Sequence, residues 1–338
     1  MASFNETDNK NPGFVLNGFP GIQDWKSWLS VLFALLFILT FFGNLTILCI
    51  VATEERLHEP MHYFISILAA IDLVPGIALL PKLLVILWFD MKQIQFDECF
   101  MQMFIISFSL AMESSLLVLM AYDRYIAVCK PLTYSSIVTD VFMLKNSIFI
   151  VIRSFFCILP APILARALPY CGEMTVQNAY CEYFAVTSVA CTHTAIGNIY
   201  LFILMALVPI PDAAMIGLSY YMIVRAILKL KSREGRQKAF STCSSHVLVI
   251  ASFYVMGAMS FLVSLLESKM PPFTRALFSV LYITIPSTLN PVIYGIKTKE
   301  IRVAVINQFR KSKLYQYVMA NTVTKKILVQ ENGNKFHM

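Results

Sequence analysis

The residues of this chain able to do chemistry are polar side chains set inside long apolar runs. Asp72, Glu113, the adjacent pair Asp123–Arg124, His246 and the amides Asn44 and Asn290 all lie in such surroundings. An ionised group in hydrocarbon is costly unless partnered, so each of these positions points to function before structure. A lone asparagine is the exception, because a polar tie between helices explains it at about 1 kcal/mol or less. Arg124 offers a guanidinium that can exchange partners without changing its own charge. His246 titrates near neutrality, and burial as a simple polar contact explains it equally well. Asp72 and Glu113, if close together in a low dielectric, cannot both stay ionised without help; either one is protonated or a cation bridges them. Oxygen ligands would suit a hard ion. No catalytic constellation is read from the chain, neither a His-Glu-x-x-His metal-binding helix nor a Gly-x-Ser-x-Gly nucleophile elbow.

These residues are carried by seven apolar segments, at about Trp28–Ala52, Pro60–Leu87, Cys99–Val128, Leu144–Leu164, Asn198–Leu228, Phe240–Leu266 and Pro272–Ile296. Apolar residues make up 58% of the 338-residue chain and charged residues 14%, with a mean hydropathy of +0.68. A soluble domain carries about a quarter charged residues. Backbone groups in lipid must be satisfied within their own segment, so spans of this length are helices. The fold class is an all-α membrane protein, a seven-helix bundle. Prolines inside spans (Pro75, Pro81, Pro160, Pro209, Pro211, Pro286 and Pro291) are expected to kink helices without abolishing them. The net charge of +7 does not indicate nucleic acid, because the basic residues lie between apolar runs and not on a polar domain.

With the N-terminus outside, nineteen Lys and Arg residues fall on the cytoplasmic side and six on the other. That bias favours N-out, C-in, decided by the third inner loop and the tail. Residues 1–27 lack the charged start and apolar core of a secretory signal, so the first span is expected to act as an uncleaved anchor. Asn5 begins an Asn-Glu-Thr glycosylation acceptor on the outer side, whereas Asn44 begins a similar tripeptide inside a span and should stay unmodified. Cys99, Cys171, Cys181 and Cys191 all fall outside, where disulfides persist. Their spacing leaves three pairings open and contains no Cys-x₂₋₄-Cys pair for zinc. In the tail, Ile301, Val305 and Phe309 form one apolar stripe among basic residues, as in a short helix lying on the inner leaflet.

Gly43-Asn44, Leu57-His-Glu-Pro-Met61, Met120-Ala-Tyr-Asp-Arg-Tyr-Ile-Ala-Val-Cys129, Ser219-Tyr220, Lys238-Ala-Phe-Ser-Thr-Cys-Ser-Ser-His246 and Pro286-Ser-Thr-Leu-Asn-Pro-Val-Ile-Tyr294 closely resemble the vertebrate olfactory receptors, a family of rhodopsin-like G-protein-coupled receptors. Ala69-Ala-Ile-Asp-Leu73 and Met112-Glu-Ser-Ser115 resemble its class I, or fish-like, branch. The resemblance covers roughly residues 20 to 312, with the motifs in order. It implies an outer segment at 1–27, a receptor domain at 28–296, and a cytoplasmic eighth helix and tail at 297–338. It implies disulfides Cys99–Cys181 and Cys171–Cys191, and a G-protein switch built from Asp123, Arg124, Tyr125, Tyr220, His246, Asn290, Pro291 and Tyr294. It makes sodium the implied ion at Asp72 and Glu113. The implied partners are a small-molecule odorant, a stimulatory olfactory heterotrimeric G protein and membrane lipids, with no enzymatic activity and no other cofactor.

A ligand site is expected between the third, fifth and sixth helices towards the outer side. Its candidates are Met103, Phe104, Ser107, Phe108 and Ala111 on the third helix, Asp212 on the fifth, and Tyr254, Ala258 and Phe261 on the sixth. Ordinary helix packing explains any single one of them as well. Such an apolar pocket with a few hydroxyls suits a small organic molecule. Class I receptors for short carboxylic acids carry a basic residue near the outer end of the sixth helix, where this chain has Ser264 and Leu265. A desolvated carboxylate would lack a partner there, so the expected ligand is neutral or weakly polar. Pro209-Ile-Pro-Asp212 departs from the family pattern and should open the fifth helix locally. The rival readings are weaker. A transporter would show internal repeats, a retinal protein would need a lysine in Pro272–Ile296, and a rhodopsin-like receptor for another metabolite or lipid fits the inner motifs less well.

Overall fold

The computed structural model describes residues 13–21, 25–192, 195–230, 232–266 and 269–311. Asn5 and the tail beyond residue 311 lie outside the described residues. Among the described residues seven helices are long and apolar enough to cross a membrane: Lys26–Thr53, Pro60–Phe89, Phe96–Cys129, Asp140–Arg166, Ile199–Leu228, Cys243–Leu265 and Pro272–Lys297. They are called the first to seventh spans below. Lys299–Lys311 follows as a short helix, in which Ile301 and Ala304 face the bundle.

The third span is the axis of the bundle, packing against the second, fourth, fifth and sixth, while the seventh closes the ring against the first, second and sixth. The apolar window of the third span is 61% buried and that of the sixth 17%, so one is a mast and the other an outer stave. The third helix begins before its apolar run, at Phe96. Gln95 and Glu98 cap each other's backbone, and Asp97 and Glu98 stand in the first turn, where negative charge meets the positive end of the helix dipole. The sixth helix likewise starts in polar sequence at Arg233, with Ser232 accepting a bond from the Gly235 N–H at 3.2 Å.

Proline acts in two ways. Pro75, Pro81, Pro286 and Pro291 sit inside continuous helices. Pro160 and Pro209 instead open new helical stretches, Pro160–Arg166 after Asp140–Ile158 and Pro209–Leu228 after Ala195–Leu207. At a first helical position the missing N–H costs nothing.

At the end of the bundle that carries Cys99, the disulfides Cys99–Cys181 and Cys171–Cys191 are formed, with Cα separations of 5.4 and 5.8 Å. They fix the loop after the fourth span over the helices. Gln102 adds to this by accepting the Cys181 N–H at 3.0 Å and donating to the Ala78 carbonyl at 2.8 Å. The same end carries a three-stranded sheet that the polar N-terminal sequence did not suggest. Strand β1 (Phe14–Leu16) lies between β2 (Gln93–Ile94) and β3 (Thr175–Val176), antiparallel to the first and parallel to the second. The Phe14 ring is fully buried among Phe96, Phe100 and Tyr170, at centroid distances of 5.4, 5.9 and 5.1 Å. The preceding residue has to be glycine, since a Cβ on Gly13 would lie 2.1 Å from the Ile94 carbonyl oxygen.

Phe14→Ala should therefore lower the stability of the purified receptor by about 3–5 kcal/mol, the range for truncating a buried aromatic, read as a fall in melting temperature in detergent. Trp28→Ala, on an exposed ring, is the control and should leave that temperature unchanged; equal effects would show that β1 does not anchor this end.

Candidate functional site

Near its C-terminal end the third helix brings together the charges of the Asp-Arg-Tyr triplet. Asp123 is fully buried and the Arg124 side chain is 12% exposed. Arg124 donates to Asp123 Oδ2 from Nη2 at 2.9 Å and from Nε at 3.1 Å. The second carboxylate oxygen is taken by the Tyr134 hydroxyl at 2.7 Å, a partner that the sequence reading missed. Burial first, and then the Asp123 carboxylate, push the Tyr134 hydroxyl above its ordinary range, so it remains a donor. Its signal in the sequence was only a tyrosine eleven residues beyond Asp123. Around this pair Tyr125, Val128, Tyr220 and Ala239 pack on Ile223, Ile227 and Cys243, closing the ends of the third, fifth and sixth spans together. The Tyr220 and Tyr294 hydroxyls and His246 Nδ1 are buried without a hydrogen-bond partner among the described residues, and the His246 and Tyr294 rings meet edge to face at 5.6 Å. The arginine is held by its neighbour while potential alternative partners stand unused.

Half-way along the bundle Asn290, assigned from the sequence to the switch, joins the pair Asp72 and Glu113. Asn290 Nδ2 donates to Asp72 Oδ2 at 2.9 Å and to Glu113 Oε1 at 3.2 Å. All three are nearly or fully buried. Asp72 Oδ1, Asn290 Oδ1 and the neighbouring Asn44 Oδ1 have no hydrogen-bond partner among the described residues, and a cleft too narrow for a water molecule, lined by Asn44, Asp72, Asn290, Pro291 and Tyr294, lies beside them. Asn44 is also a tie, donating to the Thr40 and Ser287 carbonyls at 2.9 Å each. A Cβ on Gly43 would lie 3.0 Å from the Pro291 ring, so that glycine lets the first span approach the seventh at its proline.

Nearer the disulfides the pocket candidates separate. Met103 is buried in the core cluster with Tyr183 and Val186, and Ala111 is buried within the bundle. Phe104 and Phe108 stack on each other at 5.5 Å and meet Phe155 of the fourth span edge-on at 5.9 and 6.5 Å; their faces are turned towards that helix. Ser107 and Tyr254 are half-buried, and Ala258 and Phe261 are exposed on the sixth span. Asp212 is 2% exposed and bound by Arg153, which donates from Nη2 to Oδ1 at 3.0 Å and from Nη1 to Oδ2 at 3.1 Å. Ser114 Oγ donates to Asp212 Oδ2 at 2.8 Å and lies 3.2 Å from the Tyr254 hydroxyl. Asp212 and Tyr254 are thus joined through Ser114, with Arg153 on the carboxylate, two residues with no role in the sequence reading. The clue to Arg153 was its position as a cation in mid-span.

One sequence pattern needs correcting. His58-Glu59-Pro60-Met61-His62 does match His-Glu-x-x-His, although no such motif was read from the chain. Pro60 begins the second helix, so His58 lies outside it and the two histidines do not share a helical face. His58 Nε2 instead meets the Val51 carbonyl at 3.1 Å. Among the described residues no three His, Cys, Asp or Glu side chains gather as a metal site.

Tyr134→Phe keeps the ring and removes the donor that steadies Asp123. Loss of one hydrogen bond to a charged group, worth about 1.5–3 kcal/mol, should raise ligand-free G-protein signalling about ten-fold or more at equal surface expression. Signalling at the wild-type level would mean that Tyr134 does not restrain the pair.

The olfactory receptor family model matches residues 33–312. Human olfactory receptor 56A1 is 40% identical over 289 residues, spanning 86% of this chain and 91% of that protein. Human olfactory receptor 52K2 is 38% identical over 315 residues, covering 93% of this chain and all of its own length. Squid rhodopsin, at 16% identity, superposes with a TM-score of 0.71 over 88% of this chain and 91% of its own, a likeness of fold. The seven spans, the buried Asp-Arg pair and these relatives agree: the chain belongs to the olfactory receptor family, multi-pass membrane receptors of the G-protein-coupled class.

Proposed function

We propose that this receptor binds a small neutral or weakly polar odorant from the extracellular side and activates a stimulatory heterotrimeric G protein of the olfactory type, raising cyclic AMP. Its N-terminus lies outside the cell and its C-terminus in the cytoplasm, a reading supported by the excess of Lys and Arg in the third inner loop and tail. The observation that carries the mechanism is the arginine held at rest by Asp123, which Tyr134 in turn steadies, at a mouth closed by Ile223, Ile227 and Cys243. An odorant acts only as far as it binds the open arrangement better than the closed one. Opening around the sixth helix frees Arg124 for the G protein, with Tyr220, His246 and Tyr294 available to hold the new arrangement.

The neutral-ligand reading is supported by the cations inside the bundle. Ser264 and Leu265 occupy the outer end of the sixth helix. Arg153 is neutralised by both oxygens of Asp212, and Lys82 donates to the Met91 and Gln93 carbonyls. A carboxylate entering at Arg153 would have to displace an existing counter-ion.

The Asp72–Glu113–Asn290 cluster fits a sodium ion. Its unpaired oxygens on Asp72 and Asn290 are hard donors of the kind such an ion takes, and bound sodium would supply the positive charge that two neighbouring carboxylates need. Glu113→Gln removes one of those charges and should weaken the sodium dependence of signalling; an unchanged response to sodium would remove the ion from this site.

The function is tested by a cyclic-AMP screen of chemically diverse odorants on cells expressing the receptor, with Arg124→Ala as control. Neutral compounds should produce Arg124-dependent responses. Activation confined to short-chain acids would overturn the ligand class, and responses that persist in Arg124→Ala would overturn the mechanism.

A further inference from the structure

The ion pair between the fourth and fifth spans has no part in the switch described so far. Its placement follows from the sequence. Pro209 restarts the fifth span as a new helix, which puts Asp212 in a first turn, where a carboxylate is favoured by the helix dipole. Its N–H bonds back to the Val208 carbonyl at 3.2 Å. From there both carboxylate oxygens meet Arg153, and the second also accepts from Ser114.

The direction of the bonds can be derived. A guanidinium stays charged and only donates, and the ionised Asp212 only accepts. Ser114 has one proton, and it is spent on Asp212. At the Ser114–Tyr254 contact of 3.2 Å the tyrosine must therefore be the donor. Arg153 Nη1 also donates to Ser115 Oγ, whose own proton goes to the Ala111 carbonyl at 2.9 Å. One charge pair orders a chain of hydroxyls that crosses the third helix and ends on the sixth. The sixth is also the least buried of the spans.

We infer that the Arg153–Asp212 ion pair is a positioning device. Through Ser114 it orients the Tyr254 hydroxyl, holds the sixth helix in its resting place, and so sets how readily the receptor activates. A buried ion pair is poor evidence for stability, since apolar replacements often do as well; specification of one arrangement is the better reason to keep it. Asp212→Asn has one acceptor oxygen in place of two. With that oxygen kept by Arg153, the amide N–H₂ faces Ser114 and forces it to accept, and the bond to Tyr254 loses its direction. This inference rests on the receptor reading above.

The test measures ligand-free G-protein signalling of the full-length receptor in cells, normalised to surface receptor. The variants are Ser114→Ala, Tyr254→Phe and Asp212→Asn, the double Ser114→Ala/Asp212→Asn, and the exchange Arg153→Asp/Asp212→Arg. Ser114→Ala and Tyr254→Phe leave the ion pair itself intact, so they remain informative if changes at Asp212 impair folding. Each single variant should raise signalling about five-fold, the worth of one net hydrogen bond. The double should exceed neither single, the exchange should stay raised because it restores an ion pair but sets a donor opposite Ser114, and Arg124→Ala should abolish every increase. Signals that merely follow surface expression, an additive double, or a silent Ser114→Ala would overturn the inference. If neither the wild type nor any variant signals in a way that depends on Arg124, the receptor reading fails instead; Arg124-dependent signalling that ignores the network fails the inference alone.

Discussion

A charge inside a membrane must be met by a partner, and the bundle is arranged around meeting that demand. Asp123 is bound by Arg124 and Tyr134, Asp72 and Glu113 share Asn290, and Asp212 holds Arg153 and Ser114. In each cluster one or more residues belong to the third span, and the other helices bring the rest. Packing alone would tolerate many small shifts of one apolar helix against another. Polar clusters do not, because a bond to a buried charge is either made or lost. They divide the bundle into discrete arrangements, which is what a receptor requires.

The two ends then differ in kind. At the Cys99 end, two disulfides, a three-stranded sheet and the aromatic packing around Phe14 tie the N-terminal segment and the loops to the third span. At the Arg124 end the third, fifth and sixth spans are closed together by a small apolar cluster, beside an ion pair internal to the third helix. Motion is cheapest where covalent and sheet ties are absent, and for a helix that buries little of its surface. Both conditions single out the Arg124 end of the sixth span. The third span carries both the fixed end and the mobile one, so a change of occupancy among its middle residues reaches the arginine through a single rigid element.

The helices were legible because length and hydropathy are local properties. Phe96 and Arg233 lie ahead of their apolar runs because caps and helix dipoles extend helices into polar sequence. Kinks were legible at Pro160 and Pro209, but whether a proline kinks a helix or restarts it depends on packing. Strand β1 was not legible: three residues pair only because two distant loops offer edges on either side. The charges themselves were visible, and their partners were not. Asp72 and Asn290 are 218 residues apart and Arg153 and Asp212 are 59 apart, so Asp212 could be placed in the pocket from its span but not matched to its arginine. Phe104 and Phe108 could share a face by spacing, yet only the fold turns that face to Phe155. The reverse also holds for His58 and His62, whose spacing suggests a metal while the helix start at Pro60 separates them.

The central claim is that Arg124 is latched in a closed mouth and released when the sixth helix moves. It is tested most directly by the distance between spin labels at the Arg124 ends of the third and sixth helices, measured in purified receptor with and without an activating odorant and G protein. A single short distance at rest that gives way to a longer one on activation is the predicted result. An unchanged distance under conditions in which the receptor activates its G protein would contradict it.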